Sequence, residues 1–344
     1  MKSEILQNTI QRLFTKDKGI LAADESSKSI NKRFEALNID QTIENHLAFR
    51  KILIETPNLL NFISGVIFHD ETFRQEIEHG KTFVQYCEER GIIPGIKVDE
   101  CLDENKITLG MDHLKPKLQE YFDLGARFCK WRAVVDVKNT TDEILKINIK
   151  NLASYASICE ELGLVPIIEP EVLYDGDHSI EECRDKMSQV FDLLFKELEY
   201  NQIDMKNVIL KTSMVLAGKQ FAVKSESNEI AKQTSDILKS KIPKNIGGVV
   251  FLSGGQTPTE ATLNLSGIMQ HGPYDFPITY SYSRALQDPV LKSFSENSTD
   301  INKIQSIFID RLEMNTLALR GQYDISQETG LSSNINKVTN SQDL

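Results

Sequence analysis

Short apolar runs recur along the chain at intervals that leave room for a helix and two loops between each run and the next. They are GILAAD (19–24), FISGVIF (62–68), IIPGIKV (92–98), ARFCKWRAV (126–134), LVPIIE (164–169), VILK (208–211), GGVVFLS (247–253) and PITYSY (277–282). Their starts lie 43, 30, 34, 38, 44, 39 and 30 residues apart. In the gaps the apolar residues change to helical spacing, as in SINKRFEAL after the first run and NIKNLASYASICEEL before the fifth. Thr140…Glu143, Ser179…Glu182 and Thr257-Pro258-Thr259-Glu260 fit capping boxes, the last with proline at the first helical position. Eight strand-helix units predict an α/β fold, a (β/α)8 TIM barrel. A further helix is predicted over residues 3–15, outside the barrel. After Tyr323 the chain turns polar and poor in aromatic residues, which predicts one barrel domain over 1–323 and a mobile tail over 324–344.

Spacing alone also suits an open doubly wound sheet, and the strand ends favour the barrel. Asp24, His69, Lys97, Lys130 with Arg132, Glu169 with Glu171, Lys211, Ser253, and Ser281 with Arg284 close the runs. In a parallel barrel those ends gather at one mouth, where side chains from different strands converge. Strand periodicity adds that Phe128, Lys130 and Arg132 share one face while Arg127, Cys129 and Trp131 share the other; Val165, Ile167, Glu169 and Glu171 repeat the first pattern. If the charged series faces the axis, three lysines and two glutamates crowd into a small volume.

Composition narrows the function classes. With 39 Lys plus Arg against 50 Asp plus Glu, the net charge is −11, which opposes general attraction to nucleic acid or anionic membranes and means that an anionic ligand must meet a local cationic site. No apolar stretch approaches the roughly 18 residues of a membrane span. The N-terminal stretch carries helical apolar spacing with Glu4 among it, unlike a signal peptide, and a cytoplasmic address is expected. Cys87, Cys101, Cys129, Cys159 and Cys183 show neither a disulfide framework nor a zinc pattern, and the six histidines form no compact ligand set, so no metal and no cofactor is expected.

A lysine at the end of an apolar strand is ordinarily an ion-paired or surface group. Lys211, with Lys130 and Lys97 arriving from other strands, is a different case, because burial and neighbouring cations favour a neutral, nucleophilic amine able to form a Schiff base. The resulting iminium is an electron sink that permits cleavage of the carbon–carbon bond beside the former carbonyl. Proton transfers accompany it, and Glu169, Glu171 and Asp24 are the candidate acids and bases. SGGQTPTEA (253–261) brings Ser253, Gly254 and Gly255 to a helix start after the seventh strand, a place where barrels often seat phosphate, with Arg284 beside it. Ser26, Ser29 and Arg33 offer a second anion seat after the first strand, unless the serines act only as caps. Two seats flanking Lys211 imply a substrate phosphorylated at both ends.

GILAADES, GIKVD, FCKWR, VPIIEPE, LKTSMV, FLSGGQ and SYSRAL, taken together, resemble the class I fructose-1,6-bisphosphate aldolase family from about residue 3 to residue 323. The resemblance implies reversible cleavage of fructose 1,6-bisphosphate to dihydroxyacetone phosphate and glyceraldehyde 3-phosphate in glycolysis, without a metal, in a homotetramer. It implies that Lys211 is the Schiff-base lysine, Glu169 the acid and base of imine formation with Glu171 beside it, and Asp24 the group that handles the substrate hydroxyl. Lys97, Lys130 and Arg132 would line the sugar and phosphate path, Ser253, Gly254 and Arg284 the phosphate near the ketone, and Ser26, Ser29 and Arg33 the far side. Two positions depart from the family pattern: Ser283 stands where many members have glycine, and the chain ends QDL, its last tyrosine being Tyr323. A different Schiff-base aldolase or a transaldolase would need only one phosphate seat. A metal-dependent aldolase would need clustered histidines, and a scaffold that has lost catalysis would not need Lys211, Glu169 and Asp24 together.

Overall fold

A computed structural model describes residues 2–328. Eight strands form a closed, wholly parallel barrel: β1 Gly19–Ala23, β2 Ile63–Phe68, β3 Ile93–Lys97, β4 Phe128–Val135, β5 Val165–Val172, β6 Ile209–Thr212, β7 Gly248–Phe251 and β8 Ile278–Tyr282. Each pairs with its neighbours in sequence, and β1 closes on β8 through Ile20 opposite Ser281 and Leu21 opposite Tyr282. Every apolar run named above overlaps one of these strands. The largest difference is in β5, which continues past Pro170 to Val172; Pro170 faces Ala133 and Glu171 faces Val134 across the β4 pairing. Proline reads as a strand stop in sequence because it cannot donate to the ladder, yet the pairing carries Glu171 on the strand itself.

The barrel has an apolar floor and a charged mouth. Ile20, Ala22, Ile67, Ile93, Phe128, Val165, Ile167, Ile209 and Val250 fill the interior, and the odd-even phase of β4 and β5 is as the pattern predicts. Cys129, Trp131 and Ile168 point the other way, into the shell of apolar side chains between strands and helices. The N-terminal helix Lys2–Leu13 does more than lie outside the barrel, since Leu6, Ile10 and Leu13 join the interior cluster and Phe14 packs against it. Gly248 admits this plug: a Cβ there would sit 2.1 Å from Phe14 Cζ. With the floor sealed, solvent reaches the axis from the opposite end, where the charged residues stand.

Capping follows the sequence with one shift. Ser179 with Glu182 and Thr257 with Glu260 form capping boxes, and Pro258 opens its helix. The helix Asp142–Leu162 is capped by Thr141 instead of Thr140. Thr140 Oγ1 accepts from the Asp136 amide at 2.8 Å, closing the loop after β4. A two-stranded hairpin, Glu76–Glu78 with Lys81–Thr82, is an addition that no apolar run announced. Beyond Tyr323, Asp324 caps a turn over Ile325–Gln327 and Glu328 pairs with the buried Arg311. The rest of the expected tail, 329–344, lies outside the described residues.

Candidate active site

The mouth of the barrel opens into a cavity of about 780 Å³. Strand alternation delivers its inner layer: beyond Phe128, β4 contributes Lys130 and Arg132; beyond Ile167, β5 contributes Glu169 and Glu171; beyond Ile209, β6 contributes Lys211. Lys130 Nζ is the hub. It lies 3.0 Å from Asp24 Oδ2, 3.4 Å from Asp99 Oδ1 and 3.3 Å from Glu169 Oε2. The other oxygen of Glu169 is 3.3 Å from Lys211 Nζ, so one carboxylate bridges the two buried lysines. Asp99 also holds Lys97 Nζ at 2.8 Å and accepts from the Arg132 amide at 3.1 Å. Arg132 Nε donates to Glu171.

These partners set the protonation states. Burial opposes the charge on Lys130, but Asp24, Asp99 and Glu169 together hold its pKa above the ordinary lysine range. Burial would raise the Asp24 carboxyl; Lys130, Lys211 and Lys97 overcome it and hold the group below the usual carboxylate range. Asp99 is lowered in the same way, against burial, by Lys130 and Lys97, and Glu171 by Arg132. Lys130 is therefore a fixed cation among fixed anions. Lys211, by contrast, meets one carboxylate within 4 Å, and Lys130 draws on that same carboxylate.

The residues expected to seat anions can be placed around the same cavity. On one side Ser253, Gly254, Ser281 and Arg284 line the cavity. Gly254 has φ +50°, a conformation that favours glycine and turns the backbone sharply between β7 and the capped helix. Ser281 Oγ is buried in the cavity wall with no hydrogen-bond partner among the described residues. Gly255, expected here, does not line the cavity; its open face lies under Tyr174, whose Cδ1 would be 2.8 Å from a Cβ. After β1, the strand that pairs with β8, Ser26 and Ser29 line the cavity, and Ser26 also caps the helix Ser27–Ala36 by accepting from the Ser29 amide. Arg33 is present but engaged, with Nη1 2.5 Å from Glu25 Oε1 and Nη2 2.9 Å from Asp288 Oδ1.

Nine cationic side chains line the cavity against six carboxylates, a positive surplus in a chain of net charge −11. Buried lysine and carboxylate side by side, in a cavity with a cationic surplus, fit a phosphorylated carbonyl substrate. A family model described as glycolytic class-I fructose-bisphosphate aldolase matches residues 5–342. The chain belongs to the class-I fructose-bisphosphate aldolase family. A probable class 1 fructose-bisphosphate aldolase of Xanthomonas campestris pv. campestris is 41% identical over 332 residues, covering 94% of this chain and 99% of that protein. The fructose-bisphosphate aldolase of Plasmodium falciparum is 40% identical over 331 residues, covering 93% and 90% respectively. A ternary co-crystal structure of the Plasmodium falciparum aldolase with TRAP and a small-molecule inhibitor matches this fold with a TM-score of 0.90 at 40% identity, covering 94% of this chain and 96% of that one. The chain is thus a lyase of the aldolase type.

In this aldolase several residues of the site were not legible in sequence. Asp99 had a signal, since it follows Lys97 by two residues on the same strand phase, and its role as the partner of both Lys97 and Lys130 appears only in three dimensions. Glu25, Arg50, Ser283 and Gln287 form a second network behind Arg33. Glu25 Oε2 accepts from Arg50 Nη2 at 2.6 Å, and Glu25 Oε1 accepts from the Ser283 hydroxyl. Gln287 Nε2 donates to Ala22 O at 2.6 Å, and its Oε1 accepts from Arg50 Nη1 at 3.2 Å. Arg50 is 3% exposed, although its place in the helix Ile43–Ile54 resembles that of any surface arginine. Among the described residues no group of three or more His, Cys, Asp or Glu is arranged to hold a metal ion, and no helix is long and apolar enough to cross a membrane.

Proposed function

We propose that this chain cleaves fructose 1,6-bisphosphate through an iminium on Lys211, with the division of labour that follows from its charge partners. The observation that carries the reading is the Lys211–Glu169–Lys130 chain at 3.3 Å per link. Glu169 takes a proton from the Lys211 ammonium, and the free amine attacks the ketone carbon. Glu169 then returns the proton to the carbinolamine oxygen, which leaves as water and yields the iminium. Asp24, held ionised by Lys130, accepts the hydroxyl proton on the far side of the bond to be broken. The bonding pair moves toward the iminium nitrogen; glyceraldehyde 3-phosphate departs as the aldehyde, and an enamine of dihydroxyacetone phosphate remains on Lys211. Protonation of its carbon and hydrolysis complete the cycle. Lys130 stabilises the oxygen charge that develops beside it.

Tyr323, the last tyrosine in the sequence, does not supply that carbon proton from the cavity. Tyr323 OH donates to Glu328 Oε1 at 2.6 Å and the side chain does not line the mouth. Glu169, the acid nearest Lys211, is the proposed donor. Ser253, Gly254, Ser281 and Arg284 bind the phosphate beside the ketone; Lys97 and Arg132, both paired with carboxylates, shape the path between the two ends. We further propose a homotetramer, as the family resemblance implies. Free cysteines, including Cys129 and Cys159 with sulfurs 3.3 Å apart, suit a reducing compartment such as the cytoplasm.

A coupled assay of fructose 1,6-bisphosphate cleavage tests the reading. The parent should release triose phosphates in the presence of a chelator, and Lys211→Ala should abolish turnover while keeping the fold by circular dichroism. Activity that survives in Lys211→Ala would refute it. Equal turnover of fructose 1-phosphate would favour the reading with a single phosphate seat.

A further inference from the structure

Three carboxylates surround Lys130, and the cycle described above uses two of them. Glu169 carries an added proton between taking it from Lys211 and delivering it to the departing water, and Asp24 carries one once the substrate hydroxyl has lost it. Each is therefore neutral for part of a turnover. Asp99 has no such step, yet its Oδ1 lies 3.4 Å from Lys130 Nζ. A buried ammonium keeps its charge only while an anion stands beside it.

Asp99 is held more firmly than the other two. It follows the end of β3 by two residues, where the Val98 amide still donates to Lys130 O at 3.1 Å. Its Oδ1 accepts from the Arg132 amide at 3.1 Å, and its Oδ2 meets Lys97 Nζ at 2.8 Å. Lys97 Nζ also donates to Asp99 O at 2.7 Å, which closes the ring on the backbone. Burial would raise the carboxyl, but Lys130 and Lys97 more than offset it and hold the group below the usual carboxylate range. Around Lys130, then, Asp24 at the end of β1, Asp99 after β3 and Glu169 on β5 supply negative charge. Lys97 on β3 and Lys211 on β6 share those carboxylates, while Arg132 on the same strand gives its guanidinium to Glu171.

We propose that Asp99 is a positioning residue acting through Lys130: it keeps that ammonium charged and in place while Glu169 and Asp24 change protonation in turn. The inference rests on the proposed Schiff-base reading of Lys211. Asparagine at this position keeps an oxygen to accept from the Arg132 amide and removes only the charge. Glutamate keeps the charge.

The test is the pH dependence of kcat for fructose 1,6-bisphosphate cleavage in the parent, Asp99→Asn, Asp99→Glu and Lys97→Gln, with borohydride trapping of dihydroxyacetone phosphate alongside. Asp99→Asn should lower kcat and kcat/KM together by about 10- to 100-fold, less than the loss of a group that itself meets the developing oxygen charge. Without the anion Lys130 gives up its proton at lower pH, so the alkaline limb of kcat should move down by about 1–3 pH units, the usual effect of one close opposite charge. Asp99→Glu should keep the limb at the parent's pH, whatever the longer arm costs in rate, and Lys97→Gln should not move it down. The adduct on Lys211 should still form in Asp99→Asn. An unmoved limb in Asp99→Asn, or a downward shift in Asp99→Glu or Lys97→Gln, neither of which removes the anion, would overturn the role of Asp99 and leave the Lys211 reading standing. A parent that cleaves the substrate but forms no adduct on Lys211 would overturn both.

Discussion

Lys130 and Lys211 are both buried on neighbouring strands, yet their surroundings assign them different work. Lys130 is the cation shared by Asp24, Asp99 and one oxygen of Glu169, and removing it leaves uncompensated charge in the wall of the barrel. Lys130→Met should therefore cost about 3–5 kcal/mol of stability at neutral pH, the usual result of breaking a buried ion pair from one side. The sign with pH follows from the lowered carboxyls. Asp24, Asp99, Glu25 and Glu171 contribute stability above the ordinary carboxylate range and lose it as pH falls through their depressed values. The raised Lys130 contributes below the ordinary lysine range and loses it as pH rises through its elevated value. In Lys130→Met the deficit should shrink as pH falls below about 4, the ordinary carboxylate range, because from there the parent progressively loses the stability that its depressed Asp24 and Asp99 carboxyls contribute. Urea unfolding across pH checks this; a deficit that grows on acidification would contradict it. Glu169→Gln keeps the shape and removes the proton carrier, so kcat should fall about 10²- to 10⁴-fold with KM within a fewfold. A loss of kcat below tenfold would remove Glu169 from the proton path.

Elements were legible where one physical signal dominated. The strands announced themselves because a parallel barrel buries both faces, which demands continuous apolar runs. Glu171 illustrates the limit: Pro170 reads as a strand stop, but β4 pairing continues on the far side of it. Thr140 and Thr141 are both competent caps, and the choice between them depends on the Asp136 amide that Thr140 accepts from, a contact invisible in the sequence. The helix Lys2–Leu13 was legible as a helix, but its role as a plug depends on Gly65 and Gly248 leaving room on strands far along the chain. Leu13, fully buried against β2, tests that role. Leu13→Ala should lose about 2–5 kcal/mol through the cavity it leaves, with kcat retained, because the floor is remote from Lys211. A loss under about 1 kcal/mol would show that the helix is dispensable to the barrel.

At the scale of the whole molecule, the charge distribution explains how an acidic chain attracts an acidic substrate. The carboxylates that make the net charge −11 lie largely outside the mouth, and the cavity keeps a positive surplus. The sequence revealed that a local cationic site was needed and named its strand-borne members, Lys97, Lys130, Arg132 and Lys211, together with Arg284 at the start of the helix after β8. It could not show which were already balanced. Asp99, Glu25 and Asp288 take up charge from Lys97, Lys130 and Arg33, and those pairings join segments up to 255 residues apart. Lys28, Lys32 and Lys106, which line the cavity from helix and loop instead of strand and make no ion pair among the described residues, lacked the strand-end pattern that revealed the others. What all of this positions is one amine against one ketone. The most direct measurement is borohydride reduction with dihydroxyacetone phosphate, followed by mass spectrometry of the intact protein and its peptides. A single covalent adduct per chain, mapped to Lys211 and absent from Lys211→Ala, is the predicted result; an adduct on Lys130 or Lys97, or none at all in an active protein, would contradict the account.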